Sequence, residues 1–176
     1  MALSSIQNIE GVDFSATFAP VNVNVTPEIP GLPFAVGTRV SGNAGSVWMF
    51  VLCTAGATAG QAVGITESTI TLSTADIVPT YVAAALTKSL ADQGCMFGVA
   101  VYAITATYYG WVQVQGPAYV TLKNSCLPNV PLYTTASAGM LDDTSASQTR
   151  IYGIRARDTS TASGAAKLCW ISNPTV

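Results

Sequence analysis

Residues able to do chemistry are sparse in this chain, and their spacing does not suit catalysis. Its 176 residues include nine Asp and Glu, seven Lys and Arg, four Cys and no His. Without histidine, the commonest general base and the commonest metal ligand are missing. A Ser or Cys nucleophile would need some other activating group. Lys88, Lys123 and Lys167 are the available amines, and none follows a serine at Ser-x-x-Lys spacing. Asp142 and Asp143 form an adjacent carboxylate pair, which could ligate calcium or work as acid and base. Neighbours along a strand point to opposite faces, however, and "SAGMLDDTSAS" has the composition of a turn, where Asp bonds local backbone. We read a turn and assign no catalytic residue. "GNAG" at Gly42 lacks the lysine and the spacing of a phosphate loop.

Metal and redox chemistry fare no better. Cys53, Cys95, Cys126 and Cys169 lie far apart in sequence, with no Cys-x-x-Cys pair. That is not a zinc pattern, and nothing supports the oxidising compartment a disulfide framework needs. The cysteines read as buried small apolar residues. No metal and no cofactor is expected. The residues left over suit recognition. Arg155 and Arg157 alternate in "GIRARD", so they share one strand face. Guanidinium forks there fit carboxylates across an interface, or simply a solvated face. Trp48, Trp111 and Trp170 are candidates for the core; exposed, they would offer platforms for a partner or a sugar ring.

Composition narrows the partners. Only 9% of the chain is charged while 49% is hydrophobic, against a usual charged share of roughly 25%. A core is therefore affordable, and the surface must be largely uncharged, as suits contact with other protein. With a net charge of −2 there is no clustered basic footprint for phosphates, so no nucleic-acid partner is expected. The best apolar run, Val47–Cys53, falls far short of the ~20 residues of a spanning helix, so no membrane partner is expected either. "MALSSIQNIE" lacks the basic start and apolar stretch of a secretory signal.

Two regions must position these residues. Residues 1–36 read as an extended Pro-rich N-terminal arm, because Pro20, Pro27, Pro30 and Pro33 exclude helix and interior sheet positions. Its apolar side chains are Phe14, Phe18, Val21, Val23, Val25, Ile29, Leu32 and Phe34, which favours an arm that is buried on assembly. Residues 37–176 read as a β-rich domain of short strands separated by turn residues, a small β-barrel or β-sandwich. Gly64, Gly98 and Gly153 sit between apolar residues in "AVGIT", "FGVAV" and "YGIRA", as at barrel corners. Gly116-Pro117 reads as a tight turn joining "GWVQVQ" to "AYVTLK". One α-helix is predicted over about 78–92, started by Pro79, carried by Ala83–Leu86 and stopped by Gly94, with Val82, Leu86 and Leu90 on one stripe.

The run "GVAVYAITATYYGWVQVQGPAYVTL", followed by "PLYTTASAGMLDD" and "YGIRA", resembles the capsid decoration (cement) proteins and related head proteins of tailed bacteriophages. The likeness covers about Gly60 to Trp170. It implies a β-rich structural protein, made in the host bacterial cytoplasm, that binds the outside of an icosahedral shell and clamps neighbouring major capsid protein subunits in the virion. It implies no reaction and no cofactor. A dimer or trimer at a symmetry axis is the expected homo-oligomer. Contact is expected from the arm's apolar residues, from Leu132, Tyr133 and Met140 of the "LYTTASAGMLDD" hairpin, and from Arg155 and Arg157. The competing readings are another virion part (a head fibre base or tail component), a carbohydrate-binding β-module using exposed tryptophans, and a hydrolase with an unusual Ser-Lys or carboxylate site.

Overall fold

A computed structural model of the chain describes residues 12–19, 32–71 and 77–172. The fold is mainly β. In chain order the strands are β1 (Arg39–Ser41), β2 (Val47–Cys53), β3 (Gln61–Thr71) and β4 (Ile77–Ala85), followed by the helix α1 (Lys88–Asp92). Then come β5 (Met96–Ala100), β6 (Tyr108–Leu122), β7 (Leu132–Thr134), β8 (Leu141–Asp142), β9 (Arg150–Ile151), β10 (Ile154–Ala156) and β11 (Ala165–Ile171).

Five of these strands close a barrel in the order β2-β4-β3-β5-β6, and β6 pairs back onto β2. All contacts are antiparallel except β2 with β4. Alternate residues of every strand fill the lumen: Met49, Val51 and Cys53, Val63 and Ile65, Ala83, Ala100, Val112 and Val114. The second half of β6 belongs to another sheet, ordered β10-β11-β6-β8-β7-β9. A second core lies between that sheet, the outer side of β3 and β5, and α1; Phe97, Val120, Leu122, Leu132 and Ile171 are fully buried in it.

The helix predicted over about 78–92 is corrected. Its first half is strand β4, which pairs with β3 residue by residue from Ile77↔Thr71 to Ala85↔Val63. Ladder pairing and barrel burial override the helical preference of Ala83–Leu86. Pro79 is tolerated because, among the described residues, β4 meets β2 only at Val82 and Ala83, leaving its earlier residues with one neighbouring strand. Only Lys88–Asp92 is helical, and Thr87 caps it by accepting from Leu90 N at 3.2 Å.

The Gly116-Pro117 turn is also corrected. β6 runs through it as one strand and bends there, pairing with β2 before the bend and with β11 after it. The register slips at Val47↔Gln115 and Trp48↔Gln113, so Val114 is an extra residue on β6. Gly116 follows at φ +92°, and a Cβ there would sit 2.7 Å from Ser46 Cα. Buried Gln113 secures the bend: its Nε2 donates to Gln115 O at 2.9 Å and Pro117 O at 2.8 Å.

Candidate docking surface

Beyond the bend, β6 alternates strictly. Ala118, Val120 and Leu122 are buried in the second core, whereas Tyr119 is 61% exposed. β11 does the same: Cys169 and Ile171 are buried, Trp170 is 46% exposed and Leu168 is half-buried. On β10, Ile154 and Ala156 point inward and Arg155 outward. Antiparallel register aligns these outward residues into two rows across three strands. One row is Arg155↔Trp170↔Pro117. The other pairs Leu168 with Tyr119 and is flanked by exposed Arg157, whose N–H donates to Leu168 O at 2.8 Å. A groove of about 320 Å³ runs between Pro117, Arg157, Leu168 and Trp170.

The electrostatics of this face are one-sided. Among the described residues neither Arg155 nor Arg157 forms an ion pair; Arg155 Nη1 only reaches Asn129 O at 3.3 Å. Nearby, the Arg150 guanidinium lies 4.8 Å from the centre of the exposed Tyr152 ring. The face thus combines two exposed aromatic side chains, a groove and two guanidinium groups, with Tyr119, Trp170 and Arg155 on strands and Arg157 just after β10. Such a surface can stack, exclude water and hold carboxylates bidentately.

The other residues singled out in the sequence fall elsewhere. Phe14, Phe18, Leu32 and Phe34 pack on the chain's own barrel, against Trp48, Phe50, Tyr109 and Trp111 on the outer side of β2 and β6. Val21, Val23, Val25 and Ile29 lie outside the described residues. The hairpin forms, with Tyr133 opposite Asp142 and Thr134 opposite Leu141. Its tip folds back on the barrel, where Gly139 O accepts from Ala62 N and Gly139 N donates to Leu86 O. Leu132 is corrected from a contact residue to a core residue, since it is fully buried. Tyr133 and Met140 are half-buried. Trp48 and Trp111 belong to the aromatic cluster, so of the three tryptophans only Trp170 is a platform.

The cysteines and the Asp142-Asp143 pair pack within the fold. All four cysteines are free and buried. The Cys126 thiol and one oxygen from each of Asp142 and Asp143 lie within 4.8 Å of one another. Burial, with the two carboxylates adding to it, pushes the thiol up to about 11. The carboxylates meanwhile hold the loop. Asp143 Oδ2 accepts from Leu127 N at 2.9 Å, Asp142 Oδ1 accepts from Asp143 N at 2.9 Å, and Lys123 Nζ lies 3.7 Å from Asp142 Oδ2. This is the turn chemistry the sequence predicts, assembled at the end of β8.

Trp170 is the residue sequence reasoning undervalued. The signal was present in "KLCWIS": if Cys169 and Ile171 are core, Leu168 and Trp170 must face away. Compared by sequence, the chain matches no family model and no curated protein.

Proposed function

We propose that this chain is a non-enzymatic structural protein of a tailed-phage virion, which binds the outer surface of the capsid and cements neighbouring major capsid protein subunits. The observation that carries a docking role is the exposed sheet face of Tyr119, Leu168 and Trp170 with Arg155 and Arg157 beside it. Trp, Tyr and Arg are the residues that dominate binding energy at protein interfaces. Guanidinium groups with no ion pair among the described residues complement an acidic partner surface and steer encounter with it. The choice of the capsid as that surface rests on the sequence resemblance described above. Many copies on one shell would add avidity to individually modest contacts. A protein that binds the assembled shell and not its separated subunits stabilises the shell by mass action.

Co-sedimentation with mature heads that lack the protein tests this reading. Saturable banding at a fixed ratio to the major capsid protein is expected, with Trp170→Ala/Tyr119→Ala weakening binding by at least tenfold, about 1.4 kcal/mol. Protein left at the top of the gradient would sink it. The exposed Trp170 also favours a second reading, sugar stacking by a carbohydrate-binding module. Saturable quenching of Trp170 fluorescence by a glycan, in protein that ignores heads, would establish that reading instead.

A further inference from the structure

The loop after β6 and the end of β8 bring three metal-binding side chains together. Cys126 lies in the loop beyond β6, Asp142 closes β8 and Asp143 follows it. Backbone contacts fix the two segments on each other: Leu122 pairs with Leu141, and Lys123 N donates to Leu141 O at 2.8 Å. A third segment pins the cysteine itself, since Ser160 N donates to Cys126 O at 2.9 Å and Ser125 N donates to Ser160 O at 2.8 Å. The Cys126 Sγ and one oxygen of each carboxylate are thereby held within 4.8 Å of one another.

Two separate observations point to a cation here. The first is charge. Asp142 is only 9% exposed, and a second carboxylate stands beside it. Like charges this close repel when little water screens them. Among the described residues their one ion pair is with half-exposed Lys123, whose Nζ is 3.7 Å from Asp142 Oδ2, beyond hydrogen-bond distance. The second is the thiol. Cys126 is fully buried, and its S–H donates to no acceptor among the described residues. The neighbouring Asp143 N–H also serves Asp142 Oδ1. Each carboxylate spends one oxygen on a backbone N–H, Asp142 on Asp143 N and Asp143 on Leu127 N. A carboxylate offers about four lone-pair sites, so both keep capacity for a ligand.

We propose that Cys126, Asp142 and Asp143 form a binding site for a single zinc ion, which clips the loop after β6 to the end of β8. The sulfur selects the metal. Calcium and magnesium take oxygen ligands, whereas zinc accepts a mixed set of thiolate and carboxylates. Donors around a tetrahedral zinc stand roughly 3.4–3.6 Å apart, given the usual Zn–S and Zn–O lengths. Small side-chain rotations from within 4.8 Å reach that spacing. A cation deprotonates a coordinating thiol outright, so burial of the free thiol is no obstacle. Half-buried Asp143 gives the ion its entry path and leaves the fourth position to water. The inference is independent of what binds the exposed sheet face.

The test uses the full-length chain without an affinity tag, because it has no histidine to compete for metal. After chelator treatment, zinc should bind at one ion per chain and raise the urea midpoint. Cobalt in its place should give the near-ultraviolet thiolate-to-cobalt charge-transfer band. Cys126→Ser and Cys126→Ala should each lose that band, while Cys169→Ala keeps it. Asp143→Asn retains an acceptor for Leu127 N and removes only the charge, so it should fold and bind zinc roughly tenfold or more weakly. It decides the question if both Cys126 variants fail to fold. Absence of stoichiometric zinc binding overturns the proposal, as does a cobalt band that survives loss of Cys126 or zinc affinity unchanged in Asp143→Asn. Stabilisation by calcium and not by zinc would overturn it too, in favour of an oxygen-only site.

Discussion

At the scale of the residue, the four thiols make the sharpest test of the core. Burial, with smaller contributions from Cys126 and Asp158, pushes Cys169 up to about 12 from its ordinary value of 9.0, and burial raises Cys126 to about 11. A group that holds its proton more tightly in the folded state than in the unfolded state stabilises the fold below its unfolded pKa. That stability is then lost as pH rises toward the folded value. The urea midpoint should therefore be level from neutrality to about pH 9 and then fall progressively to about pH 12. Cys169→Ala should start lower, because it leaves a small void, and fall less steeply. A midpoint independent of pH across that window would mean that the thiols are not buried. The burial of the cysteines was legible in the sequence, because isolated Cys without His or a Cys-x-x-Cys partner has few roles other than packing. The side of the sheet taken by Trp170 needed one more step, namely fixing which of the alternating residues in "KLCWIS" face the core.

At the scale of the element, strand alternation was the readable signal and two positions defeated it. Ile77–Ala85 carries helix-forming alanines, but its nine backbone pairings with β3 decide its state. Those pairings are non-local in their energetics, and local propensity is only a weak prior against them. Gly116-Pro117 carries turn residues, yet serves to bend one long strand out of the barrel and into the second sheet. Two glycines separate these effects experimentally. At Gly116 both the positive φ and the Ser46 backbone oppose a side chain, so Gly116→Ala should cost about 3 kcal/mol. At Gly64 an added Cβ would meet Cys95 Sγ at 2.8 Å, Leu86 Cδ1 at 3.2 Å and Leu90 Cβ of α1 at 3.5 Å, side-chain atoms rather than backbone. Gly64→Ala should cost about 1 kcal/mol, by lifting α1 slightly off the barrel. Denaturant titrations of the two variants would rank them. Equal costs would remove the claim that Gly116 is the structural pivot of β6.

At the scale of the whole molecule, the short strands and turns predicted a small β-barrel or β-sandwich, and the structure has the barrel; which strands close it was not legible, because closure depends on β2 pairing with both β4 and β6 across large separations in sequence. What the sequence does predict is a β-rich unit after residue 36, and the structure shows how that unit is joined. β6 is a wall of the barrel in its first half and a central strand of the second sheet in its second half. The second core takes residues from both parts: Phe97 and Val99 come from the barrel, and Leu132, Ile151 and Ile171 from the other sheet. Separating the two sheets would expose that core and break β6 in the middle, so neither part has a cheap route to unfolding alone. Unfolding should therefore be a single cooperative transition. Two single-tryptophan proteins can check this, with the remaining tryptophans replaced by phenylalanine. Trp111 reports the barrel and the arm that covers it, and Trp170 reports the outer sheet. Coincident midpoints are expected from both. If Trp170 melted first, the Gly116 bend would be a hinge between independent units, and the exposed face of Tyr119 and Trp170 would be carried by the weaker of the two. Coincidence would mean that the outer sheet and the barrel unfold as one unit.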